Sequence, residues 1–292
     1  MTTGSTLPLR LLARQLRDLR AKAGVSAESA RQDIGVSKQT FWRMENAMPT
    51  KLNPLFLKRL CELYEVADER RAVILTLAEE SRKRGWWHTF DDAIPKTFGL
   101  FVGLEDAAHR IISFQTTLLP GLLHTREYRR ALIWTEYPNM RTEDVETAVE
   151  IGARRQARLT NKSNPLTLDV FVDESTLRRV TGNTEIMADQ MRRLAEVGQL
   201  PNISIRVIPG SAGTYRAVVV GAFVLLEFPP HPTAYLTEPP VVYVQGFTGD
   251  LYLERPEEIE TYREVCTDLR RLSADEAESR ALILEIAEEY TA

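Results

Sequence analysis

Apolar residues in the first eighty positions recur at helical spacing and are cut by capping residues at short intervals. Leu9, Leu12, Leu16, Leu19 and Ala23 line one face of a first helix, with Arg10, Arg14, Arg17 and Arg20 on its other faces. Gly24 closes that helix, and Ser26 caps a short second one whose buried side carries Ala30 and Ile34. Gly35-Val36 then leads to Ser37, the cap of a third helix that runs to about Asn46. In it Phe41 and Met44 face one way, while Lys38, Gln39, Trp42 and Arg43 face the other. Asn53, with Pro54 in the first helical position, opens a fourth helix with the stripe Phe56, Leu60, Leu63 and Tyr64. Val73, Leu77 and Ala78 mark a fifth.

Beyond residue 98 the period is mixed. Gly103–Arg110 and Thr125–Trp134 have helical patterns, separated by an apolar run, Leu118–Leu123, that Pro120-Gly121 breaks. Val145, Val149 and Ala153 set a helix over 142–160. Leu166, Leu168, Val170 and Val172 then alternate with Thr167, Asp169 and Phe171, which predicts a strand with unlike faces. Ile203, Ile205 and Val207 repeat the alternation, and Met187, Met191 and Leu194 place a helix between these two strands. Val218–Val220, Ala222–Phe228 and Val241–Gln245 are further strand candidates, with Gly221 at a bulge position. The chain returns to helix with Ile259, Tyr262, Cys266 and Leu269, and a capping box at Ser273 and Glu276 opens an acidic helix to Tyr290. The predicted fold class is multidomain: an all-α helix-turn-helix N-terminal domain over 1–80, a junction over 81–98, and an α+β C-terminal domain over 99–292.

Two short helices joined by a tight turn and flanked by others form a helix-turn-helix arrangement. A helix fits the major groove of B-DNA, the side chains of its first turns reach base edges, and the free amides at its start suit a phosphate. Charge sharpens this expectation. Residues 1–90 hold 16 Lys+Arg against 10 Asp+Glu, while the rest hold 21 against 31, so a basic module precedes an acidic one. The two cysteines, Cys61 and Cys266, lie far apart within helical patterns, and core packing is expected for both. No apolar run is long enough to span a membrane, and Arg10, Arg14 and Arg17 interrupt the first apolar stretch, so neither a membrane segment nor a secretory signal is expected. The expected location is the cytoplasm.

The segment AGVSAESARQDIGVSKQTFWRMEN resembles the Xre/phage-repressor helix-turn-helix family at Gly24, Ser26, Ala30, Ile34, Gly35, Ser37, Arg43, Glu45 and Asn46. The resemblance implies an ion pair between Arg20 and Glu45, and double-stranded DNA as the ligand of the third helix. Ser37, Lys38, Gln39, Thr40, Trp42 and Arg43 are the candidate DNA-binding residues there, with Lys51 as a phosphate contact. The sequence departs from the family pattern at Ala27, where a phosphate-touching Gln is common, and at Ala47, where the usual residue is Gly. Asn46 is therefore expected to take the left-handed cap. Trp42 stands where small polar residues are common.

A second resemblance covers most of 85–290. GWWHTFDDAIP, FVGLEDAAHRI, LLPGLLHTREYRRALI, VDESTLRR, ISIRVIPGSAG and VVYVQGFTGDLYLERPEEIETY are similar to successive blocks of a large domain in bacterial, antitoxin-like regulators that include WhiJ-like developmental regulators. It implies control by a small protein encoded by an adjacent gene. The alternative is a small-molecule-responsive repressor with an effector pocket in the C-terminal domain.

An enzyme with an accessory DNA anchor finds little in the sequence. His88, His109, His124 and His231 form no metal-ligand spacing, Gly-x-Ser-x-Gly is absent, and Gly210–Gly213 lacks the Lys-Ser/Thr of a phosphate cradle. Asp91-Asp92 and Asp173-Glu174 could serve as acid/base pairs but read as helix caps or solvated carboxylates; His124 could face a partner from a helix start but reads as a capping or packing residue; and adjacent Trp86-Trp87 could stack on bases but read as a pin at the junction. The expectation is a non-enzymatic regulator without metal or cofactor, a homodimer on a near-palindromic operator.

Overall fold

Thr6–Lys22 (α1), Ala27–Asp33 (α2), Lys38–Glu45 (α3), Pro54–Leu63 (α4) and Asp68–Glu80 (α5) form the helices of the first unit. They are seen in a computed structural model that describes residues 6–83, 85–87, 96–163, 166–246 and 249–292, the side chains of 96–98 excepted. Ser26, Ser37 and Asn53 cap α2, α3 and α4 by accepting hydrogen bonds from Ser29, Thr40 and Leu55 N–H. The first four helices end alike. Val25, Val36, Met48 and Val66 N–H donate back five residues to the carbonyls of Arg20, Arg31, Arg43 and Cys61. That bond requires a left-handed residue one position earlier. Gly24 and Gly35 supply it twice, both at φ +66°, but Ala47 (φ 52°) and Glu65 (φ 53°) supply it for α3 and α4. The expectation for Asn46 is thus corrected. It stays at φ −115° as the cap, its side-chain amide donating to Trp42 O, and Ala47 makes the left-handed step.

Leu12, Leu16, Leu19, Ala30, Ile34, Phe41, Met44, Leu57, Leu60, Cys61, Ile74 and Ala78 meet in one core. On α4 the buried positions are Leu57, Leu60 and Cys61, with Phe56 and Leu63 at the core's edge. On α5 Ile74 and Ala78 are buried and Leu77 is peripheral. Cys61 and Cys266 are both buried and free. Trp87 is buried and meets Trp86 edge-on at 6.0 Å. His88 and Asp91-Asp92 lie outside the described residues.

The chain divides into two compact units, 1–91 with 230–238, and 92–229 with 239–292. Residues 230–238 thus group with 1–91, although sequence position alone gives them to the strand-rich region. Long-range polar contacts, invisible to any local pattern, tie this segment into the first unit.

The second unit is α+β. Its elements in order are Lys96–Ala107 (α6), Arg110–Gln115 (β1), Arg126–Glu136 (α7), Thr142–Gln156 (α8), Thr167–Asp173 (β2), Glu174–Leu177 (α9), Thr184–Val197 (α10), Ile203–Ile208 (β3), Arg216–Val220 (α11), Phe223–Glu227 (β4), Val241–Val244 (β5), Leu251–Leu253 (β6), Pro256–Leu272 (α12) and Glu276–Glu289 (α13). The sheet order is β3-β2-β1-β4-β5-β6, with β1, β2 and β3 parallel and the remaining pairs antiparallel. Ile112, Phe114, Phe171, Phe223, Leu225 and Val242 pack against Ile259, Val265, Cys266 and Leu269 of α12. The helical pattern over 103–110 ends early, at Ala107, and Arg110 begins β1. On β2 the two faces are not unlike in burial: Leu168, Val170, Phe171 and Val172 are all buried, because this strand lies inside the sheet. The helix expected over 142–160 closes as a 3-10 turn from Ala157.

Val218–Val220 is helical, not a strand, and Gly221 at φ +84° ends that helix instead of forming a bulge. The last capping box is at Asp275 with Glu278, and Ser273 is the C-cap of α12. Among the described residues no helix is long and apolar enough to cross a membrane.

Candidate nucleic-acid interface

α3 has one anchored face and one open face. Phe41 and Met44 enter the core, and Glu45, 6% exposed, receives Arg20 of α1 through Nε at 2.6 Å and Nη2 at 2.9 Å. That carboxylate raises the pKa of the guanidinium through the hydrogen bond, against the opposing effect of burial. Arg20 Nη1 also donates to Val25 O, so the pair holds α1, its terminal turn and α3 together. A second fork fixes the neighbouring helices: Arg59 of α4 donates to both carboxylate oxygens of Asp33 on α2 at 2.8 Å. Nothing in local spacing signals that pair, whose members are 26 residues apart.

The open face carries Lys38, Gln39 and Trp42, all exposed, with Arg43 half-buried beside them. Trp42 is 53% exposed, which sets it apart from a core tryptophan. Ser37 and Thr40 stand at the start of the helix and are coupled to each other, Oγ to Oγ1 at 2.9 Å. Lys51 is exposed on the connection to α4, where Arg82 donates to the carbonyl of neighbouring Leu52 at 2.5 Å. Among the described residues no carboxylate forms an ion pair with Lys38, Arg43 or Lys51. The structure thus gathers Lys38, Gln39, Trp42 and Arg43 on one helix face, with Thr40 on the flank and Lys51 outside α3.

One neighbour was not foreseen. Glu28, in the first turn of α2, is clasped by Arg31 and Gln32, and the hydrogen bond from Arg31 holds its carboxyl below the ordinary range. The start of α2 is therefore an acidic, internally paired site, unlike the open cationic face of α3.

The groups considered for catalysis have structural partners. Asp173 caps α9 and accepts from the Tyr215 hydroxyl at 2.7 Å, and Glu174 accepts from Gly210 N–H and Arg178. His124 is buried, and its Nε2–H donates to Leu119 O at 2.8 Å. Burial, then the charge of Arg129, push its pKa down to about 3. It lines a small cleft with Arg126, Arg129 and Gln156. Among the described residues no cluster of His, Cys, Asp or Glu has metal-site geometry.

Comparison with known families finds two matches along the chain. Residues 11–74 match a helix-turn-helix domain, which supports a DNA-binding regulator, and residues 98–285 match a domain of unknown function, DUF5753. No curated protein and no solved structure matches the chain. Because the second match takes in well over half of its length, the chain belongs to the DUF5753 family, with a helix-turn-helix domain ahead of that domain.

Proposed function

We propose that this protein is a sequence-specific transcription regulator that inserts α3 into the major groove and acts by binding, not catalysis. The carrying observation is the division of α3: its inner face is locked by core packing and by Arg20–Glu45, while Lys38, Gln39, Trp42 and Arg43 stand on one open face, without ion pairs among the described residues. A rigidly mounted face with long donors is what base-edge reading requires, since Arg or Lys pairs with guanine and Gln with adenine through two hydrogen bonds. In this reading Ser37 and Thr40 at the helix start, and Lys51 beyond its end, take phosphates on either side. The finer reading is an Xre-type head on a WhiJ-like, antitoxin-like regulator. It works in the cytoplasm as a homodimer on a near-palindromic operator and is controlled by a small protein from an adjacent gene. The resemblance and the acidic balance of 91–292 support this. Selection of duplexes from a random pool, followed by footprinting on the DNA upstream of its own gene, tests the proposal. A protected, selected sequence is expected; a folded chain that enriches no sequence overturns it.

A further inference from the structure

Residues 230–238, between β4 and β5, group with 1–91 in the first compact unit. Their contacts are specific and partly buried. Glu238, only 3% exposed, accepts from Arg10 Nε and Arg14 Nη2, each at 2.8 Å. Arg14 also donates to Thr237 O at 3.1 Å. Gln15 of α1 is 1% exposed, and its amide is satisfied at both ends, donating to Tyr235 O at 2.7 Å and accepting from Arg70 of α5. Arg70 in turn lies 4.2 Å over the Tyr235 ring. Without this segment the Gln15 amide nitrogen would exchange its Tyr235 acceptor for water.

The strap is also internally braced. His231 N–H donates to Thr237 Oγ1, Thr233 N–H donates to His231 Nδ1, and Ala234–Leu236 is a 3-10 turn. Proline pairs bound it, Pro229-Pro230 before and Pro239-Pro240 after. Proline-rich chain is a semi-rigid spacer, which narrows the conformations open to the chain at both ends of the strap.

We propose that 230–238 is a cis-acting latch on the DNA-binding unit, through which the state of the DUF5753 domain sets the competence of α3 to read DNA. The path is short. Glu238 holds α1 at Arg10 and Arg14, and the same helix holds α3 through Arg20 and Glu45. The latched form is the DNA-binding form; a partner that draws on the β4–β5 connection would open it and release DNA. The regulatory half rests on the DNA-binding reading above, whereas the latch itself does not.

The test is hydrogen exchange by mass spectrometry on the full chain, alone and with the duplex that the wild-type chain selects. In the wild type, amides of 233–238 should be protected beyond an exposed loop, and more so with DNA, because linkage makes latch closure and DNA binding favour each other equally. Glu238→Gln should speed their exchange roughly 10-fold or more and weaken DNA binding about 3- to 10-fold. Tyr235→Ala, which leaves no charge behind, should act in the same direction with smaller size, and covers the case in which Glu238→Gln does not fold. Loop-like exchange of 233–238 in the wild type overturns the latch. Unchanged DNA affinity in folded variants with fast-exchanging straps overturns its regulatory role. A wild-type chain that selects no duplex overturns the DNA reading and the regulatory role with it, and the latch is then decided by exchange in the wild type and in Glu238→Gln.

Discussion

Arg20 and Glu45 join α1 to α3 through two parallel hydrogen bonds, 2.6 and 2.9 Å long, with the carboxylate almost wholly out of water. Removing one member leaves the other charge in a site built for a pair. The arginine side chain retains 21% of its exposure, so the loss falls short of that for a sealed pair. Glu45→Ala is expected to cost about 2–4 kcal/mol, read by urea denaturation at neutral pH, and Glu45→Gln less. An unchanged midpoint for Glu45→Ala would show that the pair contributes nothing.

Ala47 takes a left-handed conformation that glycine adopts without strain. Ala47→Gly relieves a strain of about 1–2 kcal/mol, partly offset by the greater freedom of glycine in the unfolded chain. The net expectation is a gain of about 0.5–1 kcal/mol, visible as a raised melting temperature. The reverse experiment at Gly24 (φ +66°) should destabilise by a similar amount.

On the open face of α3, Gln39→Ala and Arg43→Ala should each weaken the selected duplex by about 1–3 kcal/mol while leaving scrambled DNA nearly unchanged. Lys51→Ala should weaken both alike and reduce the slope of log K against log salt by about 1. Trp42→Ala should leave stability within about 0.5 kcal/mol, as an exposed side chain does, and reduce DNA affinity. Fluorescence anisotropy across a salt series separates these outcomes. Full operator affinity in a folded Gln39/Arg43 double variant refutes the assignment.

His124 binds its proton far more weakly in the fold, at about 3, than at the ordinary 6.5 of an unfolded chain. The unfolded state therefore takes up the proton first as pH falls. This contribution to stability is complete above about 6.5 and declines towards 3, by about 1.4 kcal/mol per pH unit in that window. Denaturation midpoints at pH 7, 6, 5 and 4 should show this fall, and the slope should shrink by about one proton in His124→Gln. Equal slopes in both proteins would show that the ring titrates normally.

The first unit was legible because its signals are local. Ser26, Ser37 and Asn53 cap helices where the pattern puts them, and Phe41 and Met44 turn inward as their spacing requires. Ala47 was misread since any left-handed non-glycine is decided by the bonds around it, here Met48 N–H to Arg43 O. In the second unit β1 escaped notice because Ile111, Ile112, Ser113 and Phe114 are all buried, which erases the two-residue period. Val218–Val220 misled in the opposite way. Three β-branched residues favour a strand, yet Ala217 is buried in the core beside α12, Val219 is 80% exposed, and Gly221 ends a helical turn. Asp33–Arg59 and Glu238 with Arg10 and Arg14 join residues far apart in sequence, and periodicity carries no trace of them.

Glu238 lies about 150 residues downstream of the last position of the N-terminal stretch it fastens. At the ~5–20 residues per second of protein synthesis, that stretch leaves the ribosome roughly 7–30 s before its strap does. The helices need far less time to form and pack. For that interval the nascent unit stands with Gln15 open to water and Arg14 without its carboxylate. A polypeptide released after α3 but before residue 238 would carry that helix without the contacts that Glu238 makes to α1.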